Sequence, residues 1–296
     1  MNRRELLQGA AVMGIGVGAP RMLAAEAAAG AADEKLTLPS DPESQCRAMV
    51  RAYGNGGGDP CVFKTRGKVF AVQEDAVTPM YGFLGSETGW WKQVEEHVWV
   101  RYPSTVSFFT DLETGEFIDQ YTSPFNGATV TLPASFIRHK EGQYYTPMGV
   151  WFGSMKRVFP DHYAEKPLHL DWTDDNGVLR LQEGSRFPPI LPQPSLEYAS
   201  LFAATHEVLG EEPRQPTAAA GGWNIFSATR RPYNEMGILP GHVIWHFDAV
   251  KVPSFEDLDA GYLERARALS PVFEQSPEHD DGPSFFERII EMRGFG

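Results

Sequence analysis

From residue 61 onward, apolar residues recur at every second position and short turns interrupt them at regular intervals. The run "LHLDWTDDNGVLRLQEG" (168–184) is the clearest case. Asn176-Gly177 sits between two alternating stretches, and this dipeptide supplies the positive φ angles that a tight hairpin needs. "QVEEHVWVRYP" sets Val94, Glu96, Val98 and Val100 against Glu95, His97, Trp99 and Arg101. "VSFFTDLETGEFIDQYTSP" turns at Glu113-Thr114-Gly115, and "PFNGATVTL" gives a further turn and strand. "CVFKTRGKVFAVQ" reads as two short strands around Arg66-Gly67, and "GGWNIFSATRRPY" and "HVIWHFDAVKV" as two late strands. Hairpin-linked strands in a chain with 29 Gly and 23 Pro predict a mainly β fold: an antiparallel β-barrel or a strongly curved sheet with a few peripheral helices.

The helices are few. "SDPESQCRAMVRAYG" has Ser40 or Asp41 to cap, Pro42 in the first turn and Gly54 at the end. Cys46, Met49, Val50 and Tyr53 share one face. "SFEDLDAGYLERARALS" opens on a capping box, Ser254 with Asp257. Residues 195–210 fit helix and strand equally well.

The N-terminus reads as a targeting segment. Residues 1–27 hold paired Arg3-Arg4, an apolar run and small residues at Ala25-Glu26-Ala27. This is the pattern of a twin-arginine export signal with a cleavage site; a retained membrane-anchoring helix is the other reading. The twin-arginine export machinery is therefore an expected partner, and a periplasmic or secreted location the expectation. Residues 28–39 read as a linker, 40–270 as a single β-rich domain, and 271–296 as an acidic extension that is partly disordered until a short last helix. No later segment is apolar enough to span a membrane, so no stable span is expected after cleavage. A net charge of -13 argues against nucleic acid or anionic lipid as partner. Cys46 and Cys61 form either a disulfide, in an oxidising compartment, or two reduced thiols.

Three stretches, "KVFAVQEDAVTPMYGFLG", "DLETGEFIDQYTSPFNGATVTL" and "WNIFSATRRPYNEMGILPGHVIWHFDAVKVPSFEDL", carry a resemblance. Through Asp111, Thr114-Gly115-Glu116, Asp119, Pro124, Gly127, Arg231-Pro232, Gly237, Pro240-Gly241 and Trp245, the chain resembles domain-of-unknown-function family 1838. That family comprises exported bacterial and some fungal proteins, and the likeness runs from about Asp41 to Leu269. The resemblance implies no activity and brings no catalytic motif.

The usual catalytic motifs are missing. There is no G-x-S-x-G elbow, no H-E-x-x-H and no nucleotide loop between strand and helix. No cofactor and no metal are expected. His242 and His246, four apart on a strand, stand roughly 13 Å apart and cannot share one ion. His246 and Asp248 share a face at roughly 7 Å, either as a carboxylate-oriented general base or as a wet face. His97 and Arg101, beside Trp99, either point into a barrel, moving a proton and holding an anion, or line the solvated face of an edge strand. The aromatics fill a β core or line an apolar cavity, in which Trp99, Tyr121, Tyr145, Trp223 and Asn224 would bind a ligand. Arg231 either clamps an anionic substrate or pairs with Glu235.

The expectation from these readings is an exported, cofactor-independent lyase, decarboxylase or isomerase acting on an apolar or aromatic small molecule by histidine-mediated proton transfer. Its catalytic set would be His97, Arg101, His246 and Asp248, with Arg231 among the ligand-binding residues. The alternative is a periplasmic protein that binds such a molecule without chemistry.

Overall fold

The computed structural model describes residues 37–54, 59–74, 76–186, 196–210 and 215–292, so the expected export signal lies outside the described residues. The strands are β1 (Pro60–Gln73), β2 (Ala76–Glu95), β3 (Val98–Thr110), β4 (Gln120–Thr122), β5 (Thr129–Thr131), β6 (Ser135–Arg138) and β7 (Gln143–Thr146). They continue with β8 (Gly149–Phe152), β9 (Asp171–Asp175), β10 (Val178–Arg186), β11 (Leu196–Ala204), β12 (Ala218–Ser227) and β13 (His242–Val252). The helices are α1 (Pro42–Tyr53), α2 (Gly153–Val158), α3 (Thr205–Leu209), α4 (Ala260–Leu269) and α5 (Phe285–Met292). Strand makes up 46% and helix 21% of the described residues, so the fold is mainly β with few helices, as expected.

One antiparallel sheet organises the chain, in the order β8-β7-β3-β2-β1-β13-β12-β11-β10-β9 with β6 also paired to β3; β4 and β5 pair separately. The sheet curls into a half-barrel and, among the described residues, stays open between β8 and β9. Of the two expected forms it is therefore the strongly curved sheet. Asp171, Asp174 and Asp175 put charge on the β9 edge, which discourages pairing with another chain.

The curl needs bare backbone on the concave face. A Cβ at Gly67 would lie 2.1 Å from the carbonyl oxygen of His246, and one at Gly222 would lie 2.1 Å from that of Tyr198. Neighbouring strands approach closer there than any side chain allows. Arg66-Gly67 therefore does not break the chain into two strands. It lies inside one long strand, β1, which corrects the sequence reading. The hairpin at Asn176-Gly177 forms as expected, with φ of 54° and 81°.

Two plugs fill the ends of the half-barrel. At one end sits α1, capped by the Asp41 carboxylate, which accepts a 2.8 Å bond from the Ser44 N–H. Its buried Cys46, Met49 and Val50 pack against Phe63, Trp91, Leu181 and Leu201 of the sheet. At the other end, Val130, Leu132, Tyr233, Met236 and Ile238 from the long loops pack on Tyr81, Phe83, Phe109 and Val243. The convex face is covered in part by α4, whose Tyr262 phenol bonds the Ser86 hydroxyl at 2.8 Å and donates to the Val106 carbonyl at 3.1 Å. The Ser254–Asp257 capping box forms, but it opens a single 3-10 turn, and α4 starts at Ala260.

The C-terminal stretch is more ordered than its composition suggested. Phe273 is buried against Tyr262 and Val106. Arg138 bonds both Asp280 carboxylate oxygens, at 2.5 and 2.6 Å, and α5 docks Phe286 and Ile290 against Met155. A bidentate arginine–carboxylate pair and two buried apolar anchors outweigh the acidic, proline-containing sequence.

Candidate functional site

Between the two plugs the concave face is lined by small side chains. One row of register partners runs Glu183, Ala199, Gly222, Phe247, Gly67, Phe83. The next runs Leu201, Ala220, Ala249, Thr65, Gly85, Ser107. A packed sheet core would carry large residues here. Instead, the Phe247 ring reaches to 3.0 Å from where a Gly222 Cβ would stand, and the Phe83 ring to 2.5 Å from a Gly67 Cβ. The result is a trough with a flat, apolar floor. Thr65, Gly67, Glu183, Ala199 and Phe247 on it are only half-buried.

A polar belt crosses this trough at the α1 end. Arg101 (β3) is buried and pairs with Glu87 (β2), whose side chain keeps 45% of its exposure. Arg101 stands opposite Trp91, and Gly89 and Glu87 follow on the same face of β2. The arginine reaches Glu87 because Gly89 has no side chain: a Cβ there would lie 2.5 Å from Arg101 Nε. Its Nε–H is buried and finds no acceptor among the described residues. Tyr145 (β7) lies beside the guanidinium and donates to the Gln143 side chain at 3.1 Å. From the facing wall, Glu183 (β10) accepts a hydrogen bond from the phenol of Tyr53 at the end of α1.

Burial pushes the Glu183 carboxyl above its ordinary value and Glu87 adds to this, while the Tyr53 hydrogen bond and Arg101 pull it down. Burial also raises Tyr53 and Tyr145. Burial works against the Arg101 charge, but Glu87 and Tyr145 together more than offset it, so the guanidinium stays protonated. Lys251, also on the concave face, is pushed down by burial; its ammonium donates to the Ala52 carbonyl at 2.9 Å and so caps α1. Farther along the trough Glu197 faces Tyr163, whose phenol is pushed up to about 12 by burial with help from that carboxylate.

The residues singled out from the sequence divide between the two faces. Arg101, Trp99, Tyr145 and Asn224 are on the concave face, with Trp99 and Tyr145 in the core at the α1 end. His246, Asp248 and Trp223 are on the convex face, where Trp223 stacks on Tyr198 at 5.6 Å. His246 and Asp248 do share a face, but it is the outer one, away from the belt. His97 is not on a strand face at all. With φ of 58° it makes the β2–β3 turn, and its imidazole sits 3.4 Å from Glu43. The two-residue turn breaks the alternation that had joined His97 to Arg101. Tyr121 packs edge-on against Tyr81 in the second plug, at 5.0 Å. Arg231 is exposed and pairs with Glu235 at 3.1 Å, the second of its two readings. Cys46 and Cys61 are free, buried thiols. Among the described residues no group of side chains could hold a metal ion, and no helix is long and apolar enough to cross a membrane.

Sequence reasoning missed Tyr53, Glu87 and Glu183 as site residues. The signal was in the alternation: Leu179, Leu181, Glu183 puts a carboxyl in line on an apolar face, and Tyr53 ends the apolar stripe of α1.

A family model described as "Protein of unknown function (DUF1838)" matches residues 58–285. No curated protein and no solved structure matches the chain.

Proposed function

This chain belongs to the DUF1838 family, and we propose that it is an exported, cofactor-independent enzyme of the isomerase, lyase or decarboxylase kind. Its substrate is an apolar, ring-bearing small molecule held in the trough. One observation carries the reading: two carboxyls on facing walls of the trough sit in opposite environments. Glu87 is tied to a buried guanidinium, whereas Glu183 is raised by burial and held by a phenol. A carboxyl raised by burial in a cleft, facing a buried guanidinium, is a usual mark of acid–base work near neutral pH. Glu183 takes a proton from a carbon next to a carbonyl and returns it elsewhere on the substrate. Arg101 and Tyr145 hydrogen-bond the oxygen on which charge develops. The proton-transfer role that the sequence suggested for the histidines falls to Glu183 in this reading, because neither His97 nor His246 faces the trough.

The test is carbon–hydrogen exchange. Mature, chelator-treated protein is incubated in D2O with a pool of aromatic and terpenoid compounds, and mass spectrometry follows each one. The expected outcome is a compound that gains deuterium with wild-type protein and does not with Glu183→Gln. A compound retained without exchange or change of mass would make the chain a binding protein, a second reading that the small-residue floor supports.

A further inference from the structure

The inference below concerns the substrate class and rests on the acid–base reading of the trough. We infer that the trough takes an uncharged, flat, ring-bearing carbonyl compound and disfavours the corresponding carboxylate, which narrows the proposed kinds to isomerase or lyase and leaves out a decarboxylase. Shape comes first. The floor of Ala199, Ala220, Gly222, Ala249, Gly67 and Gly85 spans two rows across five strands. At about 7 Å between rows and about 19 Å across the strands, it is a slab for one or two rings, not for a long chain. Its large members are Leu201, packed at the α1 end, and Phe247 and Phe83, whose rings already lie over glycines.

Charge comes second. Arg101 and Lys251, cations of the concave face among the described residues, are committed. Arg101 pairs with Glu87, and Lys251 donates to the end of α1. The carboxyls of Glu183 and Glu197 stand on the facing wall. An incoming carboxylate would have either to displace Glu87 from Arg101 or to share the one guanidinium with it, which sets like charges side by side near Glu183. A neutral oxygen needs no such displacement. The third observation is independent of the acidic residues: the buried Nε–H of Arg101 has no acceptor among the described residues, so a carbonyl oxygen can take that bond while Glu87 keeps its own.

Three ring-matched probes test the inference: 2-acetonaphthone, 2-naphthoate and 2-ethylnaphthalene, with Kd measured by equilibrium dialysis on the full mature chain. The ketone is expected to bind tightest, with the hydrocarbon and the carboxylate each weakened by about ten-fold or more. Glu197→Gln, which keeps the Arg101–Glu87 pair intact, is expected to strengthen naphthoate by several-fold and leave the ketone unchanged. Naphthoate binding as tightly as the ketone would overturn the inference, and so would failure of the ketone to bind. The acid–base reading is judged separately, by deuterium exchange in Glu183→Gln. If naphthoate binds best and exchange still depends on Glu183, the substrate class fails and the enzyme stands. If Glu183→Gln exchanges as well as wild type, the enzyme fails whatever the probes do.

Discussion

Arg101 lies across the bare backbone of Gly89 and reaches Glu87 on the neighbouring strand. The contact is diagonal, since Arg101 is in register with Trp91, so the glycine between them is part of the site even though it has no chemistry of its own. Gly89→Ala places a methyl where the guanidinium stem now runs, 2.5 Å from Nε. Overpacking of this kind costs about 1–3 kcal/mol. The expected outcome is a lower denaturation midpoint together with loss of exchange activity. A variant as stable as the wild type, with activity intact, would show that Arg101 does not need that path.

Glu183 gives a pH signature with a definite sign. In the unfolded chain its carboxyl titrates at its ordinary value; in the folded chain burial has raised it. Between those two values the folded state holds more protons than the unfolded one, so stability falls as pH rises through the window and levels off above it. Glu183→Gln removes the effect. The stability of this variant relative to wild type should therefore climb with pH from the ordinary carboxylate range upward and then flatten. Urea unfolding at a series of pH values measures the difference directly. Tyr53→Phe should extend the upper end of the window to higher pH, because the phenol favours the ionised carboxylate in the folded state. A difference that stays flat with pH would mean that burial does not perturb Glu183.

Much of this architecture could be read from period and turns. Asn176-Gly177 specifies its hairpin through local backbone angles, and α1 carries its cap, its first-turn proline and its apolar stripe within a dozen residues. The errors came where the outcome depends on distant strands. Arg66-Gly67 looks like a turn, but it lies within a strand, and Gly67 is needed because a β13 carbonyl passes 2.1 Å from where its Cβ would be. His97 looks like a strand residue, and a two-residue turn takes it off the face. Alternation gave which residues share a face, for instance His246 with Asp248, but not which face is concave. That depends on the curl, and the curl depends on glycines spread over β1, β2 and β12.

The two thiols follow the same packing. Cys46 and Cys61 are both buried in the cluster at the α1 end, and burial pushes Cys46 up to about 12 and raises Cys61 as well. A thiol so protonated and so enclosed is a poor nucleophile. With an aromatic disulfide reagent at mildly alkaline pH, native protein should label slowly, and denatured protein should release two thiols per chain. No thiol on denaturation would mean that the pair is a disulfide.

The sharpest contrast lies between the two sides of β13. His246 and Asp248 look like an acid–base pair in the sequence, but they face outward, opposite Lys68 and Arg66 on β1 and Trp223 and Gly221 on β12. Phe247, between them, points into the trough. A proton relay from the outer face would have to pass through the sheet, whose backbone groups are already engaged in the ladder. His246→Ala and Asp248→Asn should therefore leave deuterium exchange within about two-fold of wild type. Away from core and site, such changes shift stability by no more than about 0.5 kcal/mol. Measured beside Glu183→Gln, the three variants give an unambiguous pattern. If His246→Ala abolishes exchange while Glu183→Gln keeps it, the working face of the sheet is the convex one, and the trough is only its packing.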